Sequence, residues 1–142
     1  MQKIYVDTNV FISYWDKEYG RNIGDFLEYF SEEILKRVVK CEFYLIISDF
    51  VIEELLSITS LNKKEILKQF NPYFSLKKIK ISKINKKDWE KADKLAKKYK
   101  IWKGDALHAI KAKQENAIVI TWDIKHFSKL EDYVLVRSPK EL

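Results

Sequence analysis

Residues 3–11, KIYVDTNVF, most constrain the fold, because a β-prone run there passes directly into a polar turn and then a helix. Residues 4–6 favour a buried strand. Beyond the turn the apolar residues recur at helical spacing, and Thr8 or Asn9 can cap that helix at its amino end. Asp7 is therefore predicted at the carboxyl end of a first strand, where open α/β sheets bind their ligands. A carboxylate at that edge favours a bound cation.

The rest of the chain alternates between predicted strands and predicted helices. Apolar runs predict strands at residues 43–47, 117–121 and 133–136, with a weak extended segment at a sheet edge over residues 76–84. Helical spacing predicts helices over residues 24–40, 50–58, 62–70 and 106–114, and one from Asn85 or Asp88 to Tyr99. Residues 16–22 are a predicted loop, and residues 71–72 are expected to close the helix before them. This alternation predicts an α/β fold, a three-layer sandwich in which helices flank a central, mostly parallel β-sheet.

The composition is that of a globular chain, with 46% hydrophobic and 34% charged residues, three glycines and two prolines. A chain of 142 residues can bury a core, and one domain over residues 1–142 is expected. The single cysteine, Cys41, cannot form an internal disulfide and is expected to be a small buried residue. No apolar run is long enough to span a bilayer, and the amino terminus enters a strand instead of a signal peptide. These features predict a cytoplasmic protein with no membrane partner.

The lysines are unevenly distributed. The formal net charge is +6, but residues 61–103 contain fifteen lysines and four acidic residues, a local balance of +11 that leaves −5 for the remainder. A basic surface beside an acidic one suits a protein that binds a polyanion with one part and a metal cation with the other. Lysine-rich helices can equally be solvated faces, so the expected contact of residues 77–87 with RNA needs a test by salt dependence.

Four acidic residues share one kind of position, just past a predicted strand or near a predicted helix start: Asp7, Glu54, Asp105 and Asp123. The carboxyl ends of parallel strands lie along one edge, so these side chains can converge. Four carboxylates in one cleft repel each other unless divalent cations neutralise them. Oxygen ligands without a cysteine or histidine set favour Mg²⁺ or Mn²⁺ over zinc. Glu53 is a rival for Glu54, since neighbouring helical side chains diverge by about 100° and only one can easily face the cleft.

Metal ions held by carboxylates suit phosphodiester hydrolysis. Such an ion can activate a water molecule and stabilise the charge that develops on the phosphodiester. Two ions about 4 Å apart can contact both the attacking and the leaving oxygen. The acids and the lysines together therefore predict a nuclease.

Four short motifs carry a resemblance to a known family: VDTNV around Asp7, SDFVIEEL around Glu54, GDALHAI around Asp105 and TWDIKHF around Asp123. In this order, and in a chain of this size, they resemble the PIN-domain nucleases, particularly the small VapC-type toxins of toxin–antitoxin systems. The resemblance covers essentially the whole chain. It implies a PIN-like fold and a metal-dependent endoribonuclease selective for single-stranded RNA, usually a homodimer and often held inactive by a cognate antitoxin.

The resemblance also implies roles for the acids. Asp7, Glu54 and Asp105 match the most consistent metal-binding and catalytic acids of the family, and Asp123 matches an acid that acts through a bound water molecule. The spacing from the serine of SDFVIEEL favours Glu54 over Glu53.

Polar neighbours of the acids match the family as well. Thr8, Asn9 and Thr121 correspond to positions that support the site in similar proteins. Trp122 departs from the pattern, because many members have a small or polar residue between Thr121 and the following acid.

Five further residues receive no function from the sequence. His108 and His126 follow two of the acids closely enough to contact a substrate phosphate, but histidines at such places more often lie on a helix surface or in a loop. Three tryptophans can stack on RNA bases, although most are expected in the core or at a dimer surface: Trp15, Trp102 and Trp122.

Three other classes of protein share some of these features. A haloacid-dehalogenase-type phosphatase needs a second aspartate two residues after the first, where this chain has Asn9. A receiver-like signalling domain needs an acid pair that the amino-terminal segment lacks. The main alternative is a non-catalytic RNA-binding module with a degenerate metal site.

Overall fold

In the computed structural model, which describes residues 1–15 and 27–142, five parallel strands form one sheet. They are β1 (Gln2–Val6), β2 (Phe43–Ser48), β3 (Ile79–Ser82), β4 (Ile118–Ile120) and β5 (Val136–Arg137). The spatial order is β3-β2-β1-β4-β5, and Ile4 of the central strand pairs with Leu45 on one side and Ile118 on the other. The carboxyl ends of the strands therefore lie along one edge of the sheet.

Helices separate the strands along the chain and pack against the sheet. In residues 1–15 and 27–142 they are α1 (Thr8–Trp15), α2 (Leu27–Val39), α3 (Asp49–Ile58), α4 (Lys63–Gln69), α5 (Asn71–Ser75), α6 (Lys86–Tyr99), α7 (Lys103–Gln114) and α8 (Ile124–Phe127). Two short 3₁₀ turns follow, at Ser128–Leu130 and Pro139–Glu141. The prediction of an α/β fold with a central parallel sheet flanked by helices is confirmed.

The core lies on both faces of the three central strands. Ile4, Tyr5, Leu45, Ile46 and Val119 are fully buried, as continuous apolar runs in parallel strands are expected to be. A fully buried aliphatic side chain contributes about 1.5–3 kcal/mol to folding relative to an exposed one. This rigid sheet fixes the positions of the residues that follow each strand.

Helices α6 and α7 form an antiparallel pair beside the sheet. The carboxylate of Asp88, near the start of α6, accepts hydrogen bonds from Lys111 Nζ at 3.1 Å and from Gln114 Nε2 at 3.0 Å, near the end of α7. Because the helices are antiparallel, the end of α6 lies beside the start of α7. Since α6 has 14 residues, its two ends are about 20 Å apart.

Several sequence predictions need correction. The last strand is β5, Val136–Arg137, and not residues 133–136, because the backbone N–H groups of Tyr133 and Val134 both donate to the Leu130 carbonyl and hold that segment in a turn. The helix predicted over residues 62–70 does end before residues 71–72, at Gln69, but these two residues then begin a further short helix, α5, where a proline in the first turn is well tolerated. Cys41 is exposed, in a tight turn with a φ of 64° between α2 and β2.

Two predictions fall partly or wholly outside the described residues. These are the loop at residues 16–22 and the first part of the helix predicted at residues 24–40. Within the described ranges, no helix combines the length and the apolar character needed to cross a membrane.

Candidate metal centre

The four acids predicted from the sequence line a single cleft of about 630 Å³ at the carboxyl edge of the sheet. Asp7 directly follows β1, and Asp123 follows β4 and caps α8. Glu54 lies in the second turn of α3, and Asp105 lies in the first turn of α7. Residues that are up to 116 positions apart in the chain thus come together because neighbouring parallel strands end at the same edge.

Asp7 is the most deeply buried of these acids, with 7% of its surface exposed. Its Oδ1 accepts a hydrogen bond from the Thr8 N–H at 2.7 Å, and its Oδ2 accepts one from Thr121 Oγ1 at 2.8 Å. Burial raises the pKa of Asp7, although the charge of His108 and the hydrogen bond from Thr121 oppose this effect. The carboxylate is therefore held in one orientation but is incompletely stabilised as an anion.

Glu54, and not Glu53, faces the cleft. Its Oε1 accepts hydrogen bonds from Thr8 Oγ1 and from His108 Nε2, both at 2.7 Å, whereas Glu53 is exposed on another side of α3. The helix begins at Asp49, one residue before the predicted start, and Ser48 is its N-cap, which accepts a hydrogen bond from the Val51 N–H. Burial acts to raise the pKa of Glu54, but the hydrogen bond and charge of His108 outweigh it, so the pKa is lowered and Glu54 is ionised.

His108 is the residue that sequence reasoning placed wrongly. It is not on a helix surface: only 1% of it is exposed, between the acids and the core. Its Nδ1 lies 2.7 Å from Tyr5 Oη, which in turn lies 2.7 Å from Ser48 Oγ. Burial lowers the pKa of His108, but the hydrogen bond to Glu54 and the charge of Asp7 raise it overall. The missed signal was its spacing of three residues from Asp105, which places both side chains on one face of α7.

Asp105 and Asp123 complete the wall of the cleft. Neither carboxylate oxygen of Asp105 accepts a hydrogen bond from any residue in the described parts of the chain. Burial, followed by the charge of Asp7, raises the pKa of Asp105 to about 6. Asp123 is more exposed and contacts His126 Nδ1 at 2.9 Å through both oxygens. His126 therefore lies at the rim of the cleft, as a surface residue beside one acid.

The three supporting residues connect the loops that carry the acids. Thr121 Oγ1, besides donating to Asp7, accepts from Asn9 Nδ2 at 3.1 Å and from the Asp123 N–H at 3.0 Å. Asn9 Oδ1 also accepts the Trp122 N–H at 3.1 Å. These bonds tie the turn after β1 to the turn after β4.

Trp122 does not intrude on the cleft. Its indole N–H points the other way and donates to Ser31 Oγ at 2.8 Å and to Ser13 Oγ at 3.2 Å, between α1 and α2. The departure from the usual small residue at this position therefore changes the packing behind the turn. The hydrogen bonds of Thr121 and Asn9 involve only the backbone N–H of Trp122 and not its side chain.

Comparison with known proteins assigns the family. The PIN-domain family model matches residues 4–132. The chain belongs to the PIN-domain family. A comparison with curated proteins found no match.

Solved structures of similar fold come from toxin–antitoxin complexes. This PIN domain is similar to a chain of VapBC2 from Rickettsia felis bound to a DNA fragment from their promoter, with a TM-score of 0.64, 22% identity and coverage of 96% of this chain and 98% of that one. A toxin–antitoxin complex from Klebsiella pneumoniae has a TM-score of 0.61 and 19% identity, with coverage of 96% of this chain and 97% of that one. FitAcB from Neisseria gonorrhoeae has a TM-score of 0.60 and 21% identity, with coverage of 98% of this chain and 99% of that one. At these identities the likeness establishes a shared fold.

The donor atoms of the PIN domain fit a hard divalent cation. One ligand atom from each of Asp7, Glu54 and His108 lies within 4.8 Å of the others. Both nitrogens of His108 are already engaged, with Tyr5 and Glu54, so we interpret it as a hydrogen-bond partner and not as a ligand. Glu54 Oε1 accepts two hydrogen bonds, whereas each oxygen of Asp7 accepts one and keeps a lone pair for a cation. An oxygen-only set of this kind suits Mg²⁺ or Mn²⁺ better than zinc.

Asp105→Asn is expected to stabilise the metal-free protein at neutral pH. The folded pKa of about 6 lies above the ordinary value of 3.8, so the stability associated with the protonated carboxyl is present below pH 4 and is lost as pH rises through 6. The variant lacks this loss, and we expect its melting temperature in EDTA at pH 8 to exceed that of the wild type by about 2–6 °C.

The measurement is thermal unfolding from pH 4.5 to pH 8 in EDTA. Glu90→Gln is the matched control, since it removes an exposed negative charge on α6 and should show no such pH dependence. A difference between Asp105→Asn and the wild type that stays constant over this range would contradict the raised pKa.

Proposed function

We propose that this PIN domain is a Mg²⁺- or Mn²⁺-dependent endoribonuclease that hydrolyses RNA phosphodiester bonds, and that it is the toxin of a VapBC-type toxin–antitoxin pair. The observation that carries the proposal is the convergence of four carboxylates on one cleft, with the pKa of Asp7 and Asp105 raised. Such a cluster opposes its own ionisation and gains stability from a cation. PIN domains are generally nucleases and typically use a divalent metal, which agrees with this arrangement.

In the proposed site Asp7, Glu54 and Asp105 hold the ion, and Asp123 acts through a bound water molecule. When bound, a divalent ion supplies Lewis acidity, which activates water for attack on phosphorus and stabilises the developing charge. Asp105 is suited to this role because its oxygens accept no hydrogen bond from other described residues and are open to the cleft.

The surrounding side chains hold the acids in position before any ligand arrives. Thr121 and the Thr8 N–H fix the two oxygens of Asp7, while the Thr8 hydroxyl and His108 both bind one oxygen of Glu54. Because these donors lie on α1, on α7 and in the turn after β4, the carboxylates do not have to reorganise when charge develops on the substrate. Preorganised polar groups of this kind are a main source of rate enhancement in enzymes.

Lysines at the cleft favour RNA as the ligand. Lys100, directly after α6, and Lys129, in the 3₁₀ turn after α8, line the cleft together with the acids. Lys86 and Lys87 lie at the opposite end of α6, about 20 Å away along the helix. Among these lysines, the geometry therefore favours Lys100 over Lys86 and Lys87 as a phosphate contact near the reaction.

Replacing Lys100 and Lys129 together with glutamine is expected to weaken RNA binding and to reduce the slope of log K against log salt concentration by about 1.4. Each phosphate contact releases about 0.7 counterion from a single strand. The measurement is fluorescence anisotropy with a short single-stranded RNA from 50 to 300 mM salt.

The matched control is the pair Lys86→Gln and Lys87→Gln, which removes the same charge at the far end of α6. A larger slope change for this pair than for the cleft lysines would place the RNA on the lysine-rich helix surface instead. If neither pair changes the salt slope, both sets of lysines are solvated surface residues that do not contact the RNA.

We further propose a cognate antitoxin as a protein partner, because similar folds come from VapBC2 and from other toxin–antitoxin complexes. A homodimer, a cytoplasmic location and a single domain over residues 1–142 belong to the same proposal. The activity is tested by incubating this PIN domain with single-stranded RNA, duplex RNA and single-stranded DNA of one sequence in Mg²⁺. Cleavage of the single-stranded RNA alone supports the proposal, whereas binding without cleavage would favour a non-catalytic RNA-binding module.

A further inference from the structure

Trp102 is unusually exposed for a large aromatic residue next to a binding cleft. It immediately precedes α7, has 61% of its surface exposed and lines the same cleft as the four acids. The other tryptophans are more buried: Trp15 packs on Phe70, and the indole of Trp122 is hydrogen-bonded between helices. Exposing an indole leaves apolar surface in water, which disfavours folding unless another contact covers it.

Gly104 allows the ring of Trp102 to lie where it does. A Cβ atom on Gly104 would be 2.3 Å from Cζ3 of the indole, well inside van der Waals contact. The ring therefore lies directly against the backbone of the first turn of α7, beside the Asp105 that follows. The ring of Phe50 is also near, with centroids 6.3 Å apart and the two planes tilted by 48°. The indole thus packs against the backbone of α7 at Gly104, and its exposed surface lines the cleft.

Two cations accompany this aromatic surface. Lys100, two residues earlier, and Lys129 line the same cleft. An apolar ring that shares a cleft with two ammonium groups matches the two parts of a nucleotide, whose base presents an apolar π-face and whose phosphate is anionic. A stacked base in a duplex has both faces covered by its neighbours, whereas an unpaired base can turn one face to a protein ring.

We propose that Trp102 is a stacking platform for an unpaired nucleobase next to the scissile phosphate, which a cation held by the acids would bind. The inference rests on the proposed function, since it requires RNA in the cleft. It adds a subsite that favours flexible, unpaired strands through shape, and it assigns Gly104 the role of keeping the ring against α7. Lys100 and Lys129 contact the phosphates on either side of the stacked base.

The test measures binding of an eight-nucleotide single-stranded RNA, by anisotropy in Mg²⁺, to protein made inactive by Asp7→Asn. Trp102→Leu in this background is expected to weaken binding by about 5- to 150-fold, the range for loss of one base–aromatic stack. Trp102→Phe should retain most of the affinity. Phe74→Leu is the matched control, because Phe74 is an aromatic residue, 42% exposed, on α5 and away from the cleft.

Gly104→Ala tests the geometry with the indole still present. The added methyl group forces the ring away from α7, so affinity should fall as it does for Trp102→Leu, and the double variant should be no worse than either single one. Circular dichroism and melting temperature establish that each variant is folded.

A series of RNA strands with one abasic site moved along the sequence identifies the stacked base. With Trp102 present, one or two positions should weaken binding several-fold, and with Trp102→Leu no position should. If Trp102→Leu lowers the affinity for intact and abasic strands equally, the ring contacts the RNA backbone and not a base. If Trp102→Leu leaves the affinity unchanged, the ring binds a protein partner or no ligand. Either result overturns the proposal alone, whereas absence of RNA binding by the parent protein overturns the proposed function as well.

Discussion

Asp7→Asn is expected to lower the rate of RNA cleavage by about 1,000-fold, or ~4 kcal/mol in the activation barrier, while the protein stays folded. The asparagine keeps one oxygen to accept the Thr8 N–H, but it removes the negative charge that would hold the ion. Because burial raises the pKa of Asp7, the ionised side chain opposes folding at neutral pH without metal. The metal-free variant should therefore melt no lower than the wild type.

The measurement is single-turnover cleavage of a labelled single-stranded RNA, with melting temperature recorded in EDTA. Glu53→Gln is the matched control, since it removes an equivalent charge from the exposed neighbour of Glu54 and should leave the rate within about twofold. If Asp7→Asn cuts as fast as the wild type, or if Glu53→Gln is the slower variant, the assignment of the acids is wrong.

His108→Ala is expected to lower the free energy of unfolding by about 2–4 kcal/mol. The substitution removes a hydrogen-bond partner of Tyr5 Oη and the donor to Glu54 Oε1, in a site where His108 itself is 1% exposed. Removing one partner of a buried hydrogen-bonded charge pair is among the most destabilising single changes. Since the pKa of His108 is raised above 6.5, its contribution is fully present below that pH and declines as pH rises through the folded pKa.

Urea unfolding at pH 6 and pH 9 measures this effect. His126→Ala is the control, because its side chain is 58% exposed at the rim of the cleft, and we expect a change below about 0.5 kcal/mol. A loss for His108→Ala that equals the loss for His126→Ala would show that the buried histidine does not stabilise the acids.

The elements that could be predicted from the sequence are those encoded by local patterns. The run that ends at Asp7 is continuous, apolar and β-prone, so β1 and the edge position of this acid follow from the residues themselves. The position of Glu54 follows from Ser48, which caps α3 and fixes the phase of the helix. Asp105 and Asp123 were recognised in the same way, from the turns and helix starts that they occupy.

The features that the sequence did not reveal depend on packing. Helix α7 is buried on nearly all sides, and even Lys111 is 4% exposed because it pairs with Asp88. The general tendency of histidines to lie on helix surfaces or in loops therefore assigned His108 to the wrong environment. The path of the chain after Leu130 similarly depends on one carbonyl that accepts two N–H groups, which no strand propensity records.

The exposure of Trp102 also depends on packing, but here the sequence favoured burial and the residue is exposed. Large aromatic residues favour burial, whereas the ring of Trp102 is 61% exposed at the cleft and lies against the backbone of Gly104. The sequence shows a glycine two residues after this tryptophan. The contact between the two residues is seen only when the first turn of α7 is known in three dimensions.

Cleavage of labelled single-stranded RNA by the wild type and by Asp105→Asn, in EDTA and after addition of Mg²⁺ or Mn²⁺, tests the central claim most directly. We predict cleavage by the wild type only when a divalent ion is present, and a loss of at least about 100-fold in the variant with either ion. Cleavage that persists in EDTA, or that Asp105→Asn carries out at the wild-type rate, would contradict a ribonuclease built on the carboxylate cleft.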